Sequence, residues 1–336
     1  INKIILYIIY IMDYLSTLIT QLKEKRPHLA EGSVSMYRGG IISLFKTVND
    51  KNSIKAFTNL DWLDDSDKVS KEISDMPLQT QKILFQSASV FLDAQGKDEL
   101  VKKYRAALFA VKKLHDKETE GQNKTVKEEE NWCSWNSLEK VRNNYKQQVM
   151  NLGLLDAKIT PDKVKPSQMA LFQKWVITSL YTYQPPVRAD YAMDILSQSE
   201  YDAVPDEEKS KNNYLVINKR EKFFHFNKYK THNLHGDKRV KVNKPMNAVL
   251  NKWLNVNKSG WLLLNIKKEP VNENQLVKAV TVAFEPCGKR IGINMLRKIY
   301  LTEKYQHEKA EKKADADAML HSVSTQQKEY VKYEKE

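Results

Sequence analysis

Apolar residues recur at helical spacing through the first third of the chain. Leu15, Leu18, Ile19 and Leu22 fall three and four positions apart, the period that lines one face of a helix. A turn at Pro27–Gly32 follows, and Ser33 can cap a second helix carrying Met36, Ile41, Ile42 and Phe45. Gly39 and Gly40 weaken that helix unless a partner backbone comes close. Pro77 suits the first turn of another helix, whose buried face is Ile83, Leu84, Ala88 and Phe91. A last helix carries Leu100, Tyr104, Leu108, Val111 and Leu114, and no strand pattern interrupts Tyr14 to Asp116.

The pattern then changes. Residues 117–130 (KETEGQNKTVKEEE) are polar and charged without an aromatic residue, as in a linker or a solvated helical extension. Trp132 and Trp135 open a short helical region ending near Leu155, and prolines and turn residues at Thr160–Pro166 announce a new domain. A long helix, Ser167–Tyr183, stops at Pro185–Pro186, and a helix is expected through Asp194–Ile195. Strand-like runs follow at Tyr214–Asn218, Phe223–Lys230 and Arg239–Val242, the last two flanking a hairpin-like turn, THNLHGDK. Helical patterns return at Pro245–Asn255, Glu273–Phe284, Ile293–Lys304, His307–Leu320 and Thr325–Tyr333, with a short apolar run at Gly260–Leu264. These patterns predict a helical first domain over 12–116, a linker and short helical region over 117–160, and an α+β domain over 161–336. The last is expected to be mostly helical with a small antiparallel sheet.

The first eleven residues stand apart. Ile1 to Ile11 is apolar but too short to span a bilayer, and no small-residue cleavage site follows it. The expectation is that residues 1–11 are upstream sequence read through in an AT-rich frame, with Met12 as the true start.

Length and composition add two constraints. The chain has 336 residues, 41% hydrophobic and 29% charged, enough for two ordinary domains with proper cores. Lys and Arg number 55 against 42 Asp and Glu, a net charge of +13, which favours a polyanionic partner such as nucleic acid. Cys133 and Cys287 lie far apart in sequence, so no disulfide scaffold or zinc spacing is visible, and an intracellular compartment is expected. His232 and His235 sit in a polar turn and read as loop or phosphate-contact residues before metal ligands. CGKRIG at Cys287–Gly292 lacks the spacing of a nucleotide-binding loop.

Basic chains that act on DNA without metal need an oxygen nucleophile, paired arginines for the nonbridging oxygens, and an acid for the leaving 5′ oxygen. PPVRAD supplies Arg188, FNKYKTHNLHGDKRVKV supplies Lys230 at a hairpin, GINMLRKIYL supplies Asn294 and Arg297, and MLHSVSTQQKEYVKY supplies His321 and Tyr330. In this order and on these elements, the carboxy-terminal half, roughly 165–336, resembles the catalytic domain of tyrosine recombinases. Asn294 stands where that family usually has histidine, Leu320 where glycine is common before His321, and Asp190 where a glutamate usually follows the arginine.

The resemblance implies a DNA breaking and rejoining fold and a site-specific recombinase or integrase. Tyr330 would form a 3′-phosphotyrosine, Arg188 and Arg297 would clamp the phosphate, Lys230 would protonate the leaving oxygen, and His321 would bond a nonbridging oxygen. Asn294 would occupy the place of the general base, and Tyr333 is a second candidate nucleophile. Neither cofactor, metal nor ATP is implied, because the phosphotyrosine conserves the bond energy. The partner would be double-stranded DNA, gripped in a C-shaped clamp whose joint is 117–130 and bound by a synaptic homotetramer. The helical first domain would correspond to a core-binding domain. Its backbone-contact candidates are Lys23, Lys25, Arg26, Tyr37, Arg38 and Lys46, joined on the hairpin by Lys228, Lys238 and Arg239. A viral or mobile-element origin, in host cytoplasm or nucleus, fits the AT-rich flavour. Two other readings share these residues: a type IB topoisomerase, and a catalytically inactive sequence-specific DNA-binding protein.

Overall fold

The structure, a computed structural model, describes residues 2–49, 57–120, 123–156 and 159–319. It divides after Asn123 into two compact units, and each is described by itself.

The first unit is helical throughout its described residues. Its helices are α1 (Asn2–Lys25), α2 (Glu31–Val48), α3 (Ser66–Glu72), α4 (Leu78–Ala94) and α5 (Asp98–Glu120). Helix α1 runs unbroken across Met12, and α5 continues past Asp116 into the polar stretch. Leu18, Leu22, Ile41, Leu44 and Phe91 form the fully buried centre. Ser33 does not cap α2: the helix starts two residues earlier after Ala30, which makes no side-chain cap. The paired glycines have different reasons. A Cβ on Gly40 would overlap Ser87 Oγ and lie 2.9 Å from Ser87 Cβ, so α2 and α4 approach there only because Gly40 has no side chain. A Cβ on Gly39 would meet open space.

The second unit begins with α6 (Val126–Asn131), which Thr125 and Glu128 close with a capping box. Helix α7 (Trp135–Asn151) then packs along α8 (Pro166–Thr182). Leu138, Val141, Tyr145 and Val149 from α7 share one core with Phe172, Trp175 and Leu180 from α8. The helical region after Trp132 is therefore part of this unit's body, because its apolar stripe needs α8 for cover. Burying each such side chain stabilises the unit by roughly 1.5–3 kcal/mol.

The sheet holds β1 (Met193–Ser197), β2 (Asn213–Asn218), β3 (Glu221–Phe226) and β4 (Lys238–Lys241) in that order. It is mixed, not wholly antiparallel: β1 pairs with β2 in parallel, while β2–β3 and β3–β4 are antiparallel. The helix expected through Asp194–Ile195 is strand β1. Ile195 N–H donates to Gly260 O at 2.7 Å and Leu262 N–H to Met193 O at 2.9 Å. The Gly260–Leu264 run thus lines β1's free edge, and tertiary pairing overrides a short apolar run that fits either element. The parallel return to β2 is made through α9 (Gln198–Ala203) and α10 (Asp206–Lys209).

Strand β3 ends at Phe226, short of Lys230, because the Asn213 side chain intercepts the next two amides. Asn227 N–H and Lys228 N–H donate to Asn213 Oδ1 at 3.0 and 2.8 Å. The short α11 (His232–His235) then turns the chain into β4, an exposed edge rich in lysine and arginine. Helices α12 (Lys244–Val256) and α13 (Glu273–Ala283) pack on α8, and α14 (Ile293–Ala318) is one continuous helix where two were expected. Among the described residues, no helix is long and apolar enough to cross a membrane.

Candidate active site

The end of α8 sets the position of Arg188. Arg142 of α7, itself buried, donates to Thr182 Oγ1 at 3.1 Å and lies 3.9 Å over the Tyr183 ring. Asn243 Nδ2 donates to Tyr183 O. The two prolines then carry the chain out of the helix, and Tyr181 Oη donates to Arg188 O at 2.9 Å. Beyond Asp190, Tyr191 is fully buried, stacked edge-on against Tyr181 at 5.5 Å and Phe224 at 5.2 Å. Two buried tyrosines thus anchor a loop whose Arg188 and Asp190 side chains stay partly exposed.

Asn213 fastens that loop to the hairpin. Its Nδ2 donates to Asp190 O at 3.1 Å and to Lys228 O at 2.9 Å, while its Oδ1 takes the two amides beyond β3. Lys228 and Asp190 are therefore held side by side through one buried amide. An open cavity of about 530 Å³ lies here, with Asp194, Lys211, Asn213, Lys228, Asn272 and Glu273 in its wall.

Arg297 arrives from α14. Ile293, Leu296 and Ile299 bury that helix's inner face, which leaves Asn294 exposed and Arg297, one turn later, half-buried beside the core. Burial pushes the Asp190 carboxyl above the usual carboxylate range; the Arg188 guanidinium opposes this, Glu273 reinforces it, and Arg297 opposes it in turn. Two arginines far apart in sequence thus act on one carboxylate. No hydrogen bond or ion pair within the described residues occupies either guanidinium. Burial also holds the Tyr181 and Tyr191 phenols far above their ordinary value, so both stay protonated.

The remaining expected residues fall out differently. Lys230 is exposed on the turn before α11, while Lys228, read only as a backbone contact, lines the cavity. His232 pairs with Asp237 at 2.7 Å. His321, Tyr330 and Tyr333 lie outside the described residues.

Of the hairpin candidates, Lys238 is exposed and Arg239 lies 3.7 Å over the Phe223 ring. On the first unit, Tyr37 is buried and its hydroxyl accepts from Gln86 at 3.1 Å, so it is a core residue, not a DNA contact. Its place on the inner stripe of α2, between Val34 and Ile41, explains this. Arg26 pairs with Asp93 at 2.7 Å, Lys25 with the same carboxylate at 3.4 Å, and Lys23 with Glu31 at 2.5 Å. Arg38 and Lys46 remain exposed.

Arg142, Asn213 and Glu273 carry no spacing signal in the sequence, because each works through a tertiary neighbour. Lys228 lines the cavity, and two guanidinium groups with no hydrogen-bond or ion-pair partner among the described residues act on the nearby Asp190, a set of cations that can hold an anion such as a phosphodiester. No protein-family model and no curated protein matches the chain.

Proposed function

We propose that this chain is a tyrosine-type DNA strand transferase, a site-specific recombinase or integrase with a DNA breaking and rejoining fold. The observation that supports the reading is that Arg188 and Arg297, distant in sequence, both favour ionisation of Asp190, whose backbone carbonyl Asn213 ties to that of Lys228. Paired, uncommitted guanidinium groups suit the two nonbridging oxygens of a scissile phosphate, whose charge grows in the transition state. Tyr330 Oη attacks the phosphorus and gives its proton to solvent, the bond to the 5′ oxygen breaks, and Lys230 delivers the proton that the departing oxygen needs. His321 bonds a nonbridging oxygen. Rejoining reverses these steps with a new 5′ hydroxyl, so the phosphotyrosine conserves the bond energy and ATP is not required. The net charge of +13 and the exposed Lys238 and Arg239 support duplex DNA as the partner. A synaptic homotetramer on paired sites, inside a host cell, completes the reading.

Exposed Asn294 favours one second reading, a DNA-binding protein that does not cut. An amide donates a hydrogen bond to phosphate but cannot take and return a proton as imidazole does.

The test uses nicked duplexes recovered from a random pool by their affinity for the protein, incubated in EDTA and run on a denaturing gel. A covalent protein–DNA band that disappears in Tyr330→Phe is expected. Binding without any covalent band would overturn strand transfer in favour of the second reading, and a band retained by Tyr330→Phe would overturn the choice of nucleophile.

A further inference from the structure

The chain has two cysteines, and the fold brings both to one place. Cys133 lies between α6 and α7, while Cys287 closes the tight turn after α13. Both are half-buried free thiols packed against the same core. The two segments that carry them are clasped along their length. Lys289 Nζ donates to Glu130 O at 2.6 Å, Arg290 N–H to Asn131 Oδ1 at 3.0 Å, and Cys287 Sγ to Ser137 O at 3.9 Å. Lys298 pairs with Glu128, and the Trp135 and Tyr300 rings meet at 5.4 Å. These contacts, on both sides of the thiols, bring the segments carrying Cys133 and Cys287 together against one part of the core.

We propose that Cys133 and Cys287 form a reversible disulfide site, closed by exchange with a small-molecule disulfide of the glutathione class. The geometry supplies an approach that thermal search need not find, because neighbouring hydrogen bonds already hold the backbones together. The two thiols are also unequal. The Lys289 ammonium, held at Glu130 O at 2.6 Å, favours the thiolate of Cys133, whereas Cys287 Sγ is turned to Ser137 O at 3.9 Å. Cys133 is thus the first nucleophile.

In the first step, Cys133 loses its proton and attacks one sulfur of the small disulfide. The S–S bond breaks, and the other half leaves as a thiolate that takes up the proton. In the second step, Cys287 loses its proton and attacks Cys133 Sγ in the mixed disulfide, expelling the remaining half as a second thiol. The protein gives up two protons and two electrons, and the small disulfide is reduced to two thiols. The new bond ties the start of the second unit's helical body to the turn that leads into α14. It requires nothing of the proposed strand transfer.

The experiment incubates the full chain with oxidised glutathione, then reads intact mass and maleimide labelling after denaturation. A mass lower by two hydrogens, complete loss of labelling, and recovery of both with reductant are expected. Cys287→Ser should instead hold one glutathione on Cys133, because the resolving thiol is gone. Hydrogen exchange of amides 287–297 should slow in the oxidised wild type. Two free thiols surviving an oxidation that closes a simple dithiol, a stable glutathione adduct on the wild type, or disulfide-linked dimers would each overturn the proposal.

Discussion

Gly39 and Gly40 are neighbours in one helix, yet substituting each by alanine should move stability in opposite directions. At Gly40 the new methyl meets Ser87 of α4, and separating two packed helices costs about 1–3 kcal/mol. At Gly39 the methyl points into open space, and the restored helix propensity contributes about 0.5–1 kcal/mol. Denaturant midpoints of Gly39→Ala and Gly40→Ala would check both signs; equal shifts would refute the close approach. The same distinction governs what can be read from a sequence at this scale. Arg188, Lys230, Asn294 and Arg297 are visible as residue types at telling positions. Asn213 and Arg142 are not, because their work is to hold backbone that lies elsewhere in the chain. Tyr37 misleads for a related reason: its hydroxyl suggests a phosphate contact, while its register on α2 places it in the core.

Among the elements, α1, α2, α4 and α5 of the first unit follow directly from the spacing of apolar residues, since each buries a single stripe, whereas the short α3 gives no such pattern. Strand β1 does not, because its pairing with the Gly260–Leu264 run and with β2 depends on residues distant in sequence. Strand β3 carries a pH-dependent contribution of its own. His225 is packed 4.4 Å from the Tyr201 ring with its Nε2 unbonded among the described residues, and burial, helped by Arg239, lowers its pKa from the ordinary 6.5. The folded unit therefore keeps His225 neutral, while the unfolded chain takes up a proton at 6.5. Below that pH the unfolded state binds more protons, so stability is full above it and falls as pH drops towards the depressed folded value. His225→Phe, which keeps a ring against Tyr201, should flatten this loss. Urea midpoints for both proteins above and below pH 6.5 would check it, and parallel curves would show that His225 contributes nothing.

At the scale of the whole molecule, each unit carries its own hydrophobic core, and the proposed chemistry rests on the second. Helix α14 starts at that site and then leads the chain away from it. At 1.5 Å per residue, Ala318 stands about 32 Å along the axis from Arg297. Tyr330 lies a dozen residues beyond Ala318 in the sequence, and that length of chain can reach at most about 41 Å. Chain reach thus sets a rule of ownership. Under the proposed strand transfer, a tyrosine within that reach serves its own arginines, and one outside it serves those of another copy. Mixing Tyr330→Phe with Arg297→Ala protein distinguishes the two: a covalent adduct regained only in the mixture means that cleavage is a property of the assembly, with no single chain able to cut alone.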